Sequence, residues 1–213
     1  MKIKNVDLKT ILRTTKASAI RSGYPMQSGE PANMYNDADE DMSYEDWVRV
    51  QKLATKDGGH NNFLKGIIAQ FDLQYTQYHT PQLQRYNWID IISSQSKMHR
   101  IHKMDLIESC DYRVHPVIIG VCKQFISLYN SSDFYDHVVH TVAGKEYRFE
   151  SKQDLYMYII NNIPLGFQLW MGVTTNYLQL RNIYKQRKNH KLEDWTDFCK
   201  WLETLPNSNY ITE

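Results

Sequence analysis

From Ile67 to Tyr75 the odd positions (Ile67, Ala69, Phe71, Leu73, Tyr75) are apolar and the even ones mostly polar, the period-two mark of a strand with one buried face. Thr80 ahead of Pro81 offers an N-cap hydroxyl and a proline at the first helical position, which predicts a helix carrying Arg85 towards Ser93. Upstream, Ser43 and Asp46 form a capping box before Trp47, Val48, Val50, Leu53 and Ala54, so a helix is expected over about 44–55, stopped by Lys56-Asp57-Gly58-Gly59. His60 to Leu64 reads as a short helix feeding the strand. Residues 1–25 mix charge with short apolar pairs, and Ile3 to Arg13 fits strand and helix alike; 26–41, rich in Pro, Gly, Asn and acid, reads as a surface loop.

Further along, His102 to Asp111 is ambiguous, and Val117, Val121, Phe125 and Leu128 have helical spacing up to Asn130-Ser131-Ser132. Val138–Val142 and Tyr147–Phe149 read as a hairpin, taken as an insertion over 134–150 appended to a single domain spanning 1–213. Ser151 with Asp154 caps a helix that ends before Pro164. Within Phe167 to Leu192 the spacing is helical: at 100° per residue Val173, Tyr177, Leu180 and Tyr184 share a stripe, with Asn176, Ile183 and Arg187 within about 80° of its centre. Arg181 and Lys188 fall at its flank and are expected in solvent. Trp195, Phe198, Trp201, Leu202 and Leu205 define a last amphipathic helix, and Pro206 to Glu213 reads as a frayed tail.

Composition narrows the classes. The 25 basic and 24 acidic side chains nearly cancel, so no global field holds a nucleic-acid duplex or an anionic membrane, and any anion site must be local. Cys110, Cys122 and Cys199 are odd in number and widely spaced, which suggests reduced thiols in a cytoplasm. No apolar run reaches the roughly 20 residues of a membrane span, and the N-terminal stretch lacks a signal-type apolar region, so an intracellular protein is expected. The 15 tyrosines and 5 tryptophans suit subunit interfaces and ligand pockets as well as a large core.

Two places carry candidate chemistry. Ser93, Ser94, Gln95 and Ser96, near Arg85 and followed by Lys97, His99 and Arg100, set neutral donors among cations, a combination that suits a phosphate; the same run also reads as an ordinary polar turn. Arg187, beside the apolar stripe with His190 three residues on, needs a carboxylate, a carbonyl or a bound anion if it is buried, or else it snorkels from the stripe's edge. His99-x-x-His102 and His137-x-x-His140 lack an intervening catalytic Glu and name no metal site. The cysteines lie among apolar neighbours, where thiols are inert.

Taken together, a strand, a capped helix near Arg85-Tyr86-Asn87, the run SSQSKMHR and a late segment TTNYLQL with Asn176 and Arg187 eleven residues apart resemble the flavin-dependent thymidylate synthase (ThyX) family, in its divergent phage-type form. Arg85 takes the place of the first signature Arg, 14 residues after Phe71; Ser96 matches the second signature Ser, and Ser94 stands where the family has Glu. Tyr86 and Asn87 replace its His and second Arg, Met98 a further Arg, and Leu178 the first Arg of the late helix. The resemblance implies an α+β fold, a central antiparallel sheet flanked by helices, assembled as a homotetramer with sites at subunit junctions. It implies FAD, reduced by NADPH, serving methyl transfer from methylenetetrahydrofolate to dUMP, with no protein nucleophile. On that scheme Arg85, Ser94, Gln95, Ser96 and Arg187 bind the nucleotide, Arg187 also stabilising negative charge on the base, and Tyr86, Asn87, Asn176 and His190 face the cofactor. The alternative is a nucleotide-sequestering or nucleotide-sensing protein that has lost the flavin chemistry.

Overall fold

The structure, a computed structural model, describes residues 1–7, 44–134 and 137–213. The loop expected over 26–41 and the Ser43–Asp46 capping box lie outside the described residues. The elements, in chain order, are β1 (Lys2–Asp7), α1 (Tyr44–Ala54), β2 (Ile68–Thr76), α2 (Thr80–Leu83), β3 (Asp90–Ser94), α3 (Lys97–Arg100), α4 (Leu106–Ser109), α5 (Pro116–Ser131), β4 (Val138–Val142), β5 (Lys145–Phe149), α6 (Lys152–Asn162), β6 (Gln168–Asn176), α7 (Tyr177–Arg187), α8 (Glu193–Glu203) and α9 (Asn209–Thr212). Short 3-10 turns stand at Asn62–Gly66, Gln77–His79 and Ile101–Lys103.

The strands form a sheet in the order β1-β2-β6-β3 and a separate β4-β5 hairpin. Tyr177 N donates to Ile67 O at 3.0 Å and Gln77 N to Phe167 O at 3.2 Å, so β2 and β6 run antiparallel. Gln95 N donates to Trp170 O at 2.9 Å, and Ser93 lies against Gly172, which makes the β6-β3 pair antiparallel too. The expected α+β class with an antiparallel sheet is therefore present. By contacts the chain divides into two compact units, Met1–Leu73 with Gln82–Ser93 and Met171–Glu213, and Gln74–Pro81 with Ser94–Trp170.

In the first unit the alternation read from the sequence holds: Ile67, Ala69, Phe71 and Leu73 are buried. The Phe71 ring lies 6.2 Å from that of Phe198 and 4.8 Å from that of Trp201, so the apolar stripe of α8 covers this face of the sheet. Three expectations change. Ile3 to Arg13, left open above, starts as strand β1. The helical stripe read from Val173 onward is strand up to Asn176 and helix only from Tyr177; Val173, Thr174 and Thr175, stiff at χ1, favour the strand, and Asn176 caps the helix by accepting from Gln179 N at 3.0 Å. The helix opened by Thr80 and Pro81 lasts a single turn.

Nor is the C-terminus frayed. Tyr210 and Ile211 are buried, Tyr177 Oη donates to Pro206 O at 2.6 Å, and Gln51 donates to Tyr210 Oη at 3.2 Å. The fastening is Arg181, expected in solvent but only 1% exposed: Nη1 donates to Tyr210 O at 3.1 Å and Nη2 to Thr55 O at 3.2 Å. A fully buried guanidinium here ties α7 to the end of α1 and to the tail through carbonyls.

The second unit is built on α5 and α6. Asp105 caps α4, accepting from Ile107 N at 2.8 Å, and His115 caps α5. Ser151 Oγ accepts from Asp154 N at 3.1 Å as its capping box predicts, while the Asp154 carboxylate takes Glu150 N at 3.3 Å. Phe125 meets Tyr158 at 4.8 Å, Tyr147 at 5.5 Å and Phe149 at 6.0 Å, so the inward side chains of the hairpin close this core. Ala143 and Gly144, both at positive φ, make its two-residue turn. Between α5 and α6 lies a groove of about 210 Å³, lined among others by Val117, Val121, Cys122, Phe125 and Ile159. It carries no charged side chain and gives a phosphate no hold. No helix among the described residues is long and apolar enough to cross a membrane.

Two consequences can be measured. Arg181→Ala strips the buried Tyr210 carbonyl and the part-buried Thr55 carbonyl of their charged donor and is expected to lower unfolding free energy by about 3 kcal/mol in urea titrations. Burial pushes the Tyr210 phenol from 10.0 up to about 12. Its folded value lies above its unfolded one, so its contribution is intact below pH 10 and is lost as pH rises towards about 12; denaturation midpoints should fall across that window as tyrosinate absorbance appears.

Candidate functional site

The single turn of α2 buries Leu83, and Tyr86 N then donates to Leu83 O at 3.0 Å, turning the Tyr86 ring inward while Arg85, Asn87 and Trp88 stay exposed. On α7 the inner face runs Tyr177, Leu180, Arg181, Ile183, and Arg187 continues it four residues after Ile183 in the last turn, half-buried. The negative end of the helix dipole favours a cation there. After the short connection Lys188–Leu192, α8 brings in Trp195, fully buried.

These segments meet around one guanidinium. Arg187 Nε donates to Tyr86 Oη at 2.7 Å, and Tyr86 Oη donates onward to Gln186 Oε1 at 3.2 Å. The guanidinium carbon stands 4.8 Å from the Trp195 ring centroid and 5.7 Å from that of Tyr86, cation–π range for both. The two rings meet edge-on at 6.0 Å, and Trp195 Nε1 donates to Gln82 Oε1 at 2.8 Å. Among the described residues no acceptor meets the terminal nitrogens of Arg187. Chemically this is a fixed, charged fork with two N–H-bearing ends open to a ligand's acceptors.

His190 closes the helix end: its N donates to Arg187 O at 3.0 Å, and its Nδ1 accepts from Leu192 N at 3.2 Å. Burial, and then the Arg187 charge, hold its imidazole below the ordinary range, so it is neutral near pH 7. Asn176 sits at the opposite end of α7, roughly 16 Å away along the axis at 1.5 Å per residue, with its side-chain carbonyl used for the cap. Arg85 makes no hydrogen bond or ion pair among the described residues.

The serine run belongs to the second unit from Ser94 onward. It is not the turn expected from the sequence: Ser93 and Ser94 end strand β3, and Ser96 occupies the position before α3 without a capping bond. Gln95 is committed to β6 on both sides, its N donating to Trp170 O at 2.9 Å and its side-chain carbonyl accepting from Trp170 N at 3.1 Å. The hydroxyls of Ser94 and Ser96 have no partner among the described residues. Lys97, expected to lend its charge to this run, donates instead to Gln77 Oε1 at 3.2 Å and Ile160 O at 3.4 Å, and burial lowers its pKa. Trp195, read from the sequence only as an apolar position, and Gln186 are the side chains at Arg187 that pattern reading missed.

Two crystal structures of ThyX from Helicobacter pylori, each with FAD and dUMP, match the chain at a TM-score of 0.62 and 13% identity, covering 100% of this chain and 97% and 96% of theirs. The fold is the ThyX fold. No family model and no curated protein sequence matches. At that identity the likeness speaks for the backbone arrangement, and the side chains must be judged on their own geometry.

The thiols give a direct check of the site's chemistry. Burial pushes both Cys199, beside the Arg187 cluster, and Cys110 up to about 11, and raises Cys122 as well. No thiolate nucleophile is poised at neutral pH. A disulfide reagent at pH 7 should leave all three thiols of the folded protein unmodified over minutes and titrate them fully once urea unfolds it.

Proposed function

We propose that this chain is a flavin-dependent thymidylate synthase-like protein that binds dUMP or a related pyrimidine nucleotide through Arg187. The observation that carries the reading is the guanidinium of Arg187, fixed at Nε by Tyr86 and lying over the Trp195 ring, its terminal nitrogens without an acceptor among the described residues, on a ThyX-like fold. Helicobacter pylori ThyX binds FAD and dUMP on that backbone arrangement. Here Arg187 would hold the nucleotide and stabilise negative charge developing on its base, and the exposed Arg85 of the same unit would take the phosphate. FAD, reduced by NADPH, would supply the hydride for methyl transfer from methylenetetrahydrofolate, which makes the protein an FAD-dependent methyltransferase of the thymidylate synthase type. Of the side chains expected to face the flavin, exposed Asn87 and the Nε2 edge of His190 are open to it.

The homotetramer belongs to the same proposal. Trp88 (58% exposed) and Ile92 (63% exposed), with Ile91 between them, flank or form the sheet-edge strand β3, an apolar edge that subunit contact would cover.

A second reading has its own support: Tyr86 Oη and the Asn176 side-chain carbonyl are both committed inside the protein. A nucleotide-binding protein without flavin chemistry would keep the Arg187 fork and dispense with those contacts.

The test separates the two. Purified protein that is yellow, or becomes so with FAD, supports the synthase; colourless protein that binds dUMP but takes up no FAD supports the binding protein. In calorimetry Arg187→Ala should weaken dUMP by about tenfold to a hundredfold, as loss of charged hydrogen bonds predicts. Unchanged dUMP affinity in that variant would sink both readings.

A further inference from the structure

We infer that Tyr86 and Trp195 are positioning residues: they act on a bound nucleotide only through Arg187, by fixing the plane in which its guanidinium meets the ligand. The inference rests on the proposed role of Arg187 and goes beyond it, because the sequence resemblance places Tyr86 against the cofactor and gives Trp195 no role.

Three features carry it. First, the Tyr86 hydroxyl is saturated: its oxygen accepts Arg187 Nε–H at 2.7 Å and its single proton goes to Gln186 Oε1 at 3.2 Å. To donate to a flavin or a nucleotide it would have to abandon Gln186, and its ring is buried. Second, the Trp195 ring is itself locked. Its Nε1 is tied to Gln82 at 2.8 Å, Phe198 packs on it edge-on at 6.0 Å, and it is fully buried, so the face it turns to the guanidinium 4.8 Å away cannot swing. Third, the contact at Nε is the one that leaves both terminal nitrogens available. A carboxylate paired with the fork would occupy them, whereas a phenol oxygen at Nε and two π faces hold the cation and leave its outer edge bare.

An arginine in solvent samples many rotamers, and a ligand must select one of them. Here the selection is made before the ligand arrives. The contribution of Tyr86 and Trp195 to affinity should therefore vanish once the guanidinium is gone, as neither a direct ligand contact nor a purely structural role would predict.

A double-mutant cycle on the full chain, read by dUMP calorimetry, tests this. Tyr86→Phe keeps the ring and removes only the acceptor; Trp195→Phe keeps an aromatic face and serves as the second probe. Expected are a roughly three- to tenfold weaker dUMP affinity for each in the native background and no effect of either in the Arg187→Ala background. Melting temperature and Nε–H exchange of Arg187 by NMR accompany the cycle: exchange should be slow in the native protein and fast in Tyr86→Phe. If Tyr86→Phe weakens dUMP equally in both backgrounds, it contacts the ligand directly and the inference is wrong. If Arg187→Ala weakens dUMP but Tyr86→Phe and Trp195→Phe do not, the clamp is structural only and the inference alone fails. If Arg187→Ala leaves dUMP affinity unchanged, the nucleotide reading fails; the clamp is then decided by Nε–H exchange, and equal exchange in native protein and Tyr86→Phe overturns it as well.

Discussion

The strand-to-helix switch at Asn176 is the constraint from which the first unit follows. β6 passes into α7 with no intervening loop: Asn176 is the last residue of the strand and the cap of the helix, and the next residue, Tyr177, donates its N to Ile67 O at 3.0 Å. With the helix start pinned to the sheet at both the cap and the ladder, the helix has no freedom of rotation about its axis. The face that carries Tyr177, Leu180, Arg181 and Ile183 must then be the buried one, and Arg187 must emerge at the far end of that face.

Two arginines six residues apart on that helix meet opposite fates for a physical reason. Arg181 lies in mid-helix, where α1 and the C-terminal tail close over it, and burying its charge is tolerable because Tyr210 O and Thr55 O accept from it. It is spent on holding the fold. Arg187 lies where the helix ends, and three influences make a cation tolerable there without a carboxylate among the described residues: the negative end of the helix dipole, the Tyr86 oxygen and the rings of Trp195 and Tyr86.

Much of the fold was legible in the sequence, and what was not has identifiable causes. The period-two alternation from Ile67 to Leu73, the cap at Ser151 and the stripe of α8 are local signals, and the structure follows them. The stretch from Val173 to Tyr184 misled because its apolar spacing fits a helix by coincidence; the run Val173, Thr174, Thr175 ahead of a capping Asn was the better guide. Asp105, a clear cap for α4, was there to be read. Arg181 could not be placed by periodicity, since the carbonyls that receive it come from 29 and 126 positions away in the chain. The same holds for the candidate site: Arg187 stands out in the pattern as a charge beside an apolar stripe, but its partners Tyr86 and Trp195 belong to segments that only the fold brings together.

The way the Arg187 charge is compensated also bears on what kind of ligand can use it. With 25 basic and 24 acidic side chains the chain as a whole exerts little attraction on an anion, so selectivity must arise within a few ångströms of the guanidinium. A salt bridge there would satisfy the cation in the empty protein and would have to be broken by every incoming ligand. The Trp195 and Tyr86 rings stabilise it without consuming any N–H, and the one N–H with a partner among the described residues, Nε–H, goes to a neutral phenol. The guanidinium is thus ordered before binding while two of its nitrogens have no acceptor among the described residues, and a ligand that brings paired acceptors gains their hydrogen bonds without displacing a carboxylate of those residues.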